Sequence, residues 1–94
     1  MSAADHAIDA PDLLLERVRA IAPRAARVRL TDHPEFGSRE PVLTVYDQSG
    51  HVLSAPDVTY GGPDELTRWL LDNAPRTWPG VEYDVDARVL KPTR

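Results

Sequence analysis

The sequence predicts an α+β fold, a two-layer sandwich with two helices on one face of a four-stranded mixed sheet, in the order α-β-β-β-α-β. Two stretches, "DAPDLLLERVRAIAP" and "PDELTRWLLDN", carry apolar residues at helical spacing. Four others read as β-rich runs, most cleanly "VEYDVDARVL", where apolar and polar residues alternate at the period of a half-buried strand. A chain of 94 residues buries somewhat over ~60% of its unfolded surface, enough for one core and not for two. Two helices with one apolar stripe each suffice to cover one side of a small sheet.

Residues 1–8 read as a flexible N-terminal tail ahead of a single domain spanning 9–92. The first helix has Asp9 as its expected N-cap, Pro11 and Asp12 in its first turn, and Pro23 as its stop. Leu14, Val18 and Ile21 form its apolar stripe, widened by Leu15 and Ala22, with Glu16 and Arg19 opposite. In "ARVRLT" the period changes: Ala26, Val28 and Leu30 alternate with Arg27, Arg29 and Thr31. After the irregular loop 32–41, "VLTVYD" and "HVLSA" flank Asp47 and Gly50, the signature of a hairpin closed by a type I turn and a bulge. The second helix runs from about Pro63 to Asn73, with Leu66, Trp69 and Leu70 inward and Arg68 and Asp72 outward. The last strand is expected over 81–90, with Val81, Tyr83, Val85, Ala87 and Val89 on one face. A right-handed crossover through the second helix brings it parallel to the first strand. There Arg27 and Arg29 face Asp84 and Asp86, each pair worth about 0.2–1 kcal/mol. The expected strand order is 4-1-2-3.

The pair Gly61-Gly62 before the second helix raises the question of a phosphate site. Pro63 has no N–H to offer an anion, and Asp64 and Glu65 place two carboxylates where it would sit. No Walker lysine or G-x-G-x-x-G pattern is present, so the glycines are read as a turn and no cofactor is expected. The chain has no cysteine, which excludes disulfides and thiolate metal sites. A net charge of −4 argues against general attraction to nucleic acid. Helix, three strands and helix is also the order of double-stranded RNA-binding domains. Asp64 and Glu65, however, stand where that family needs basic phosphate contacts, and the family is not inferred. Its apolar runs are far too short for a membrane span. "MSAADHAIDA" has no secretory pattern, so a cytoplasmic location follows by default. Lys91 is the single lysine beside ten arginines, as expected of a GC-rich bacterial source.

Candidate sites are few. His33 and Glu35 share the loop 32–41 with Asp32 and Glu40, but no ligand spacing fixes their geometry, and no metal is assigned. His51 lies beside Asp47 at the hairpin end. With loop 32–41 it forms the ligand-site alternative, including an oligomeric enzyme whose site is shared between subunits. A homodimer is compatible with the sequence. Arg24, Arg27 and Arg29 are the one concentrated basic stretch and carry the nucleic-acid alternative, weakened by the lack of interleaved aromatics. Trp78 and Phe36 are either core plugs or partner anchors. The leading expectation is a small non-catalytic protein-interaction or regulatory module with a protein partner. The acidic strip Glu82, Asp84 and Asp86 would meet a basic surface, as in an inhibitor or immunity-type protein.

Overall fold

In the computed structural model, residues 7–32, 41–75, 78 and 80–93 are described. The elements run β1 (Ile8–Asp9), α1 (Asp12–Ile21), β2 (Arg27–Asp32), β3 (Pro41–Tyr46), β4 (Val52–Leu53), α2 (Gly62–Asn73), β5 (Gly80–Asp84) and β6 (Val89–Thr93). The α+β class stands, but the four-stranded mixed sheet of order 4-1-2-3 does not. The described residues form one six-stranded sheet of order β1-β6-β5-β2-β3-β4, with every pairing antiparallel.

Two local features account for the difference. The alternating run 81–90 is broken by a turn at Val85–Arg88, where Asp84 carbonyl accepts the Arg88 N–H at 2.8 Å and Asp84 Oδ1 accepts the Ala87 N–H at 3.1 Å. Arg88 takes the left-handed conformation, φ 58°, which costs a non-glycine residue about 1–2 kcal/mol. The turn therefore forms without the glycine that would have announced it. The chain folds back, and β5 and β6 pair through Tyr83 and Leu90.

The second feature is the loop of residues 54–61. It carries the chain back to the C-terminal end of α1, where the Thr59 N–H donates to the Ile21 carbonyl at 2.9 Å. The loop therefore makes the return pass, and α2 runs in the direction of β2. Strand β5 then enters from the far end of the sheet, antiparallel to β2, with Arg27 opposite Asp84 and Arg29 opposite Glu82. The right-handed crossover rule presumes that the helix itself makes the return.

Asp9 is no helix cap. It pairs with Val89 in β1, and the helix opens after an extended Pro11. The core lies between the helices and one side of the sheet. Leu14, Leu15, Val18 and Ile21 of α1 and Leu66 and Leu70 of α2 pack with Val28, Leu30, Val45, Leu53, Val81, Tyr83 and Leu90. The register places those strand residues on one face, as the alternation of a strand requires. Arg17 of α1 holds Glu65 of α2 bidentately, at 2.7–3.0 Å. Both side chains are half-exposed, so the pair contributes at most about 1 kcal/mol.

Each glycine of the pair has a separate duty. Gly61 is left-handed, φ 79°, immediately before α2. Gly62 is buried against Ile21, whose Cγ2 a Cβ at that position would overlap. Pro63, Asp64 and Glu65 fill the first turn, the two carboxylates at the positive end of the helix dipole.

Candidate functional site

The strands place most of the sequence-derived candidates on the outer, helix-free face or at its ends. Arg27, Arg29, Glu82, Asp84 and Lys91 all belong to that face, so its charge alternates in sign. The Arg27 guanidinium lies 3.9 Å from Glu82 and 5.2 Å from the centre of the Tyr46 ring, while Lys91 Nζ lies 3.5 Å from Asp84. The acidic strip is thus interleaved with its own cations. Arg29 is half-buried, and its Nε is enclosed with no hydrogen-bond partner among the described residues. Arg24 stands apart, exposed in the turn after α1, 3.7 Å from Asp57.

At one end of this face an open cleft of about 600 Å³ brings Asp47, Asp84 and Asp86 together with Arg27. Two of the three carboxylates are committed to their own turns. Asp47 Oδ1 accepts the Ser49 and His51 N–H groups at 2.8 and 3.0 Å. The N–H of His51, then burial in opposition, then that of Ser49 act on its carboxyl, and the net effect lowers its pKa. The Asp84 carboxyl is likewise lowered, chiefly by the Ala87 N–H and further by Lys91. Gly50, φ 86°, completes the Asp47 turn, the type I turn with bulge that the spacing predicts. His51 sits at the tip with its ring 82% exposed, 3.9 Å from Asp47. Among the described residues no group of three acidic or histidine side chains could hold a metal.

Trp78 is half-buried and packs against the core, as does Trp69. Phe36, His33 and Glu35 lie outside the described residues. Among the described residues, no helix is long and apolar enough to cross a membrane.

A feature that the sequence reading missed lies along β3 and β4. Among the described residues, strand β4 pairs only with Val45 and Tyr46, leaving Pro41–Thr44 of β3 without a strand on that side. Beside this stretch runs a groove of about 560 Å³, walled by Leu43, Val45, Leu53, Val58, Tyr60 and the first turn of α2. Val42, Val52 and Tyr60 flank it with 39%, 63% and 102% exposure, a concentration of open apolar surface unlike the mixed charge of the outer face. The opposite sheet edge is guarded. Where, among the described residues, β1 leaves Lys91–Thr93 of β6 without a partner, Lys91 and Pro92 bring the charge and the missing donor by which sheets block unwanted pairing. Pro41 likewise withholds a donor at the start of the β3 edge, but Val42-Leu43-Thr44 beyond it carry neither charge nor proline. One signal was available in the sequence: "HVLSAP" runs into Pro56, so β4 had to be short and its neighbour incompletely covered.

Comparison with known proteins finds no matching family model, no matching curated protein and no matching solved structure.

Proposed function

We propose that the chain is a small non-catalytic protein-interaction module that docks its partner along the uncovered β3–β4 edge. The observation that carries this reading is the coincidence of the Leu43 backbone, left without a strand partner on the β4 side among the described residues, with the exposed apolar residues Val42, Val52 and Tyr60. An open strand edge is a template for another chain, and strand addition is a recurrent mode of protein recognition. The carboxylates that acid–base chemistry would need support the non-catalytic part. Asp47 and Asp84 spend their oxygens on backbone N–H groups, and His51 stands in solvent. The outer face is the weaker candidate for a basic partner, because Arg27, Arg29 and Lys91 break up its acidic strip.

Affinity capture from the native host tests the reading. The full chain and its Val52→Lys/Tyr60→Ser variant are immobilised side by side. A retained protein that the variant loses supports the edge. A protein held equally by both, and lost instead by Asp84→Asn/Asp86→Asn, overturns it in favour of the charged end.

A further inference from the structure

Resting on the edge-docking reading above, we infer that the occupant is an extended segment of a partner protein. It carries an apolar residue opposite Leu43 and a Lys or Arg two positions away.

The backbone directions require an extended segment. The Tyr46 carbonyl accepts the Ala26 N–H at 2.7 Å, toward β2, while the Asp47 N–H donates to the His51 carbonyl at 2.9 Å, toward β4. Successive residues of a strand present their backbone groups to alternate sides. Val45 and Leu43 therefore face the β4 side, and β4 reaches only Val45. Leu43 presents both an N–H and a carbonyl to the open edge, and Pro41 a carbonyl alone. A helix has already spent its backbone groups on itself. A strand meets the donor and the acceptor of Leu43 with its own pair, at ladder spacing.

Side-chain parity sets the pattern. Leu43 lies opposite Leu30 on the helix-covered face. A residue paired with Leu43 aims its side chain to that same face, into the groove beside Val58 and Tyr60. Its immediate neighbours point to the outer face, beside Val42 and Thr44. The second neighbour opposite Pro41 returns to the groove face, while the place opposite Val45 is already held by Leu53. Among the described residues Asp64 is the one charged residue lining the groove; it is exposed and makes no ion pair with any of them. A cation two positions from the apolar residue is on the correct face to meet it. A groove of about 560 Å³ falls in the ~300–1,000 Å³ range of ligand pockets, room for a few side chains and not for a folded element.

The test uses a displayed library of random nine-residue peptides selected on the full chain. Recovered peptides are then titrated into the isotope-labelled protein. Selection should return an apolar residue and a Lys or Arg at a spacing of two, with amide shifts centred on Leu43, Val52 and Leu53. Amide exchange at Leu43 should slow when peptide is bound. Asp64→Asn should weaken the basic peptides about two- to fivefold, as an exposed ion pair would. Leu43→Pro removes the edge N–H without removing a bond to β2, and should abolish binding. Val52→Lys, at an exposed position, supplies the same block should the proline variant fail to fold.

Helical peptides, peptides without a cation, indifference to Asp64→Asn, or an empty selection would each overturn the inference. So would a dimer in sedimentation that Val52→Lys dissolves, because a second copy would then be the occupant. If peptides bind elsewhere while host capture still depends on Val52 and Tyr60, the partner chemistry is wrong and the docking edge stands. If capture is also indifferent to them, the edge falls as well.

Discussion

Replacing Tyr83 with Phe should make this protein more stable. Tyr83 is fully buried on β5, and its hydroxyl has no hydrogen-bond partner among the described residues. Burial pushes the phenol above its ordinary pKa, with Asp12 and Asp84 adding to it and Arg88 and Arg19 opposing. A hydroxyl buried without a partner costs about 1–3 kcal/mol relative to one hydrated in the unfolded chain. Removing it leaves a gap on the order of 10 Å³, which costs only about 0.2 kcal/mol at ~24 cal/mol per Å³. The balance favours Phe by about 1–3 kcal/mol, and for a domain of this size each kcal/mol moves the melting temperature by roughly 4–8 °C. Urea unfolding of both proteins measures the difference. The slope should be unchanged, because the same surface is exposed. Tyr83→Ala, which removes the ring, should lose about 3–5 kcal/mol and so confirm that the ring itself is core. A Phe variant less stable than the native chain by half a kcal/mol or more, roughly the least a lost hydrogen bond costs, would refute the reasoning, since the hydroxyl would then be satisfied in solution.

Gly62→Ala should destabilise by about 1–3 kcal/mol, because its Cβ meets the stiff, buried Ile21 side chain; Gly61→Ala, by contrast, meets no atom and is opposed only by its positive φ. Thermal melts of the two variants distinguish crowding from backbone strain. Reversing charge at both Arg27 and Arg29 should lower the melting temperature more than reversing Arg19, since the two strand arginines lie opposite Asp84 and Glu82; equal losses would remove the cross-strand pairing. Stability should be level near neutral pH and fall in acid. The folded-state carboxyls of Asp47 and Asp84 sit below the ordinary value of 3.8, so the unfolded chain takes up protons first as the pH drops through that value. Asp47→Asn/Asp84→Asn should melt lower at pH 7 and show a shallower decline between pH 5 and 3, measured by circular dichroism. A double variant with the native acid slope would assign the loss to other groups.

Much of the local structure was legible in the sequence because it depends on neighbours only a few residues apart. Helical spacing located both helices and their inward residues. Asp47 and Gly50 located the hairpin turn, whose bonds all lie within five residues. The turn at Val85–Arg88 was not legible, because Asp84 supplies a side-chain acceptor while Arg88 takes a conformation usually left to glycine. Two-residue alternation continues through it unbroken, so period alone could not show where β5 ends. Of the site, the charged outer residues could be read from alternation, whereas the docking edge could not. Val42, Val52 and Tyr60 look like ordinary strand and loop residues until the sheet shows which edge they line.

The sequence by itself determined which faces are apolar, since side-chain period is a property of the local chain, and it determined that carboxylates and arginines would share the opposite face. Only the tertiary structure decided strand direction, strand number and the open edge. Those depend on which way loop 54–61 carries the chain and on where β4 stops covering β3. They are settled by contacts between residues far apart, such as Thr59 with Ile21 and Val45 with Leu53.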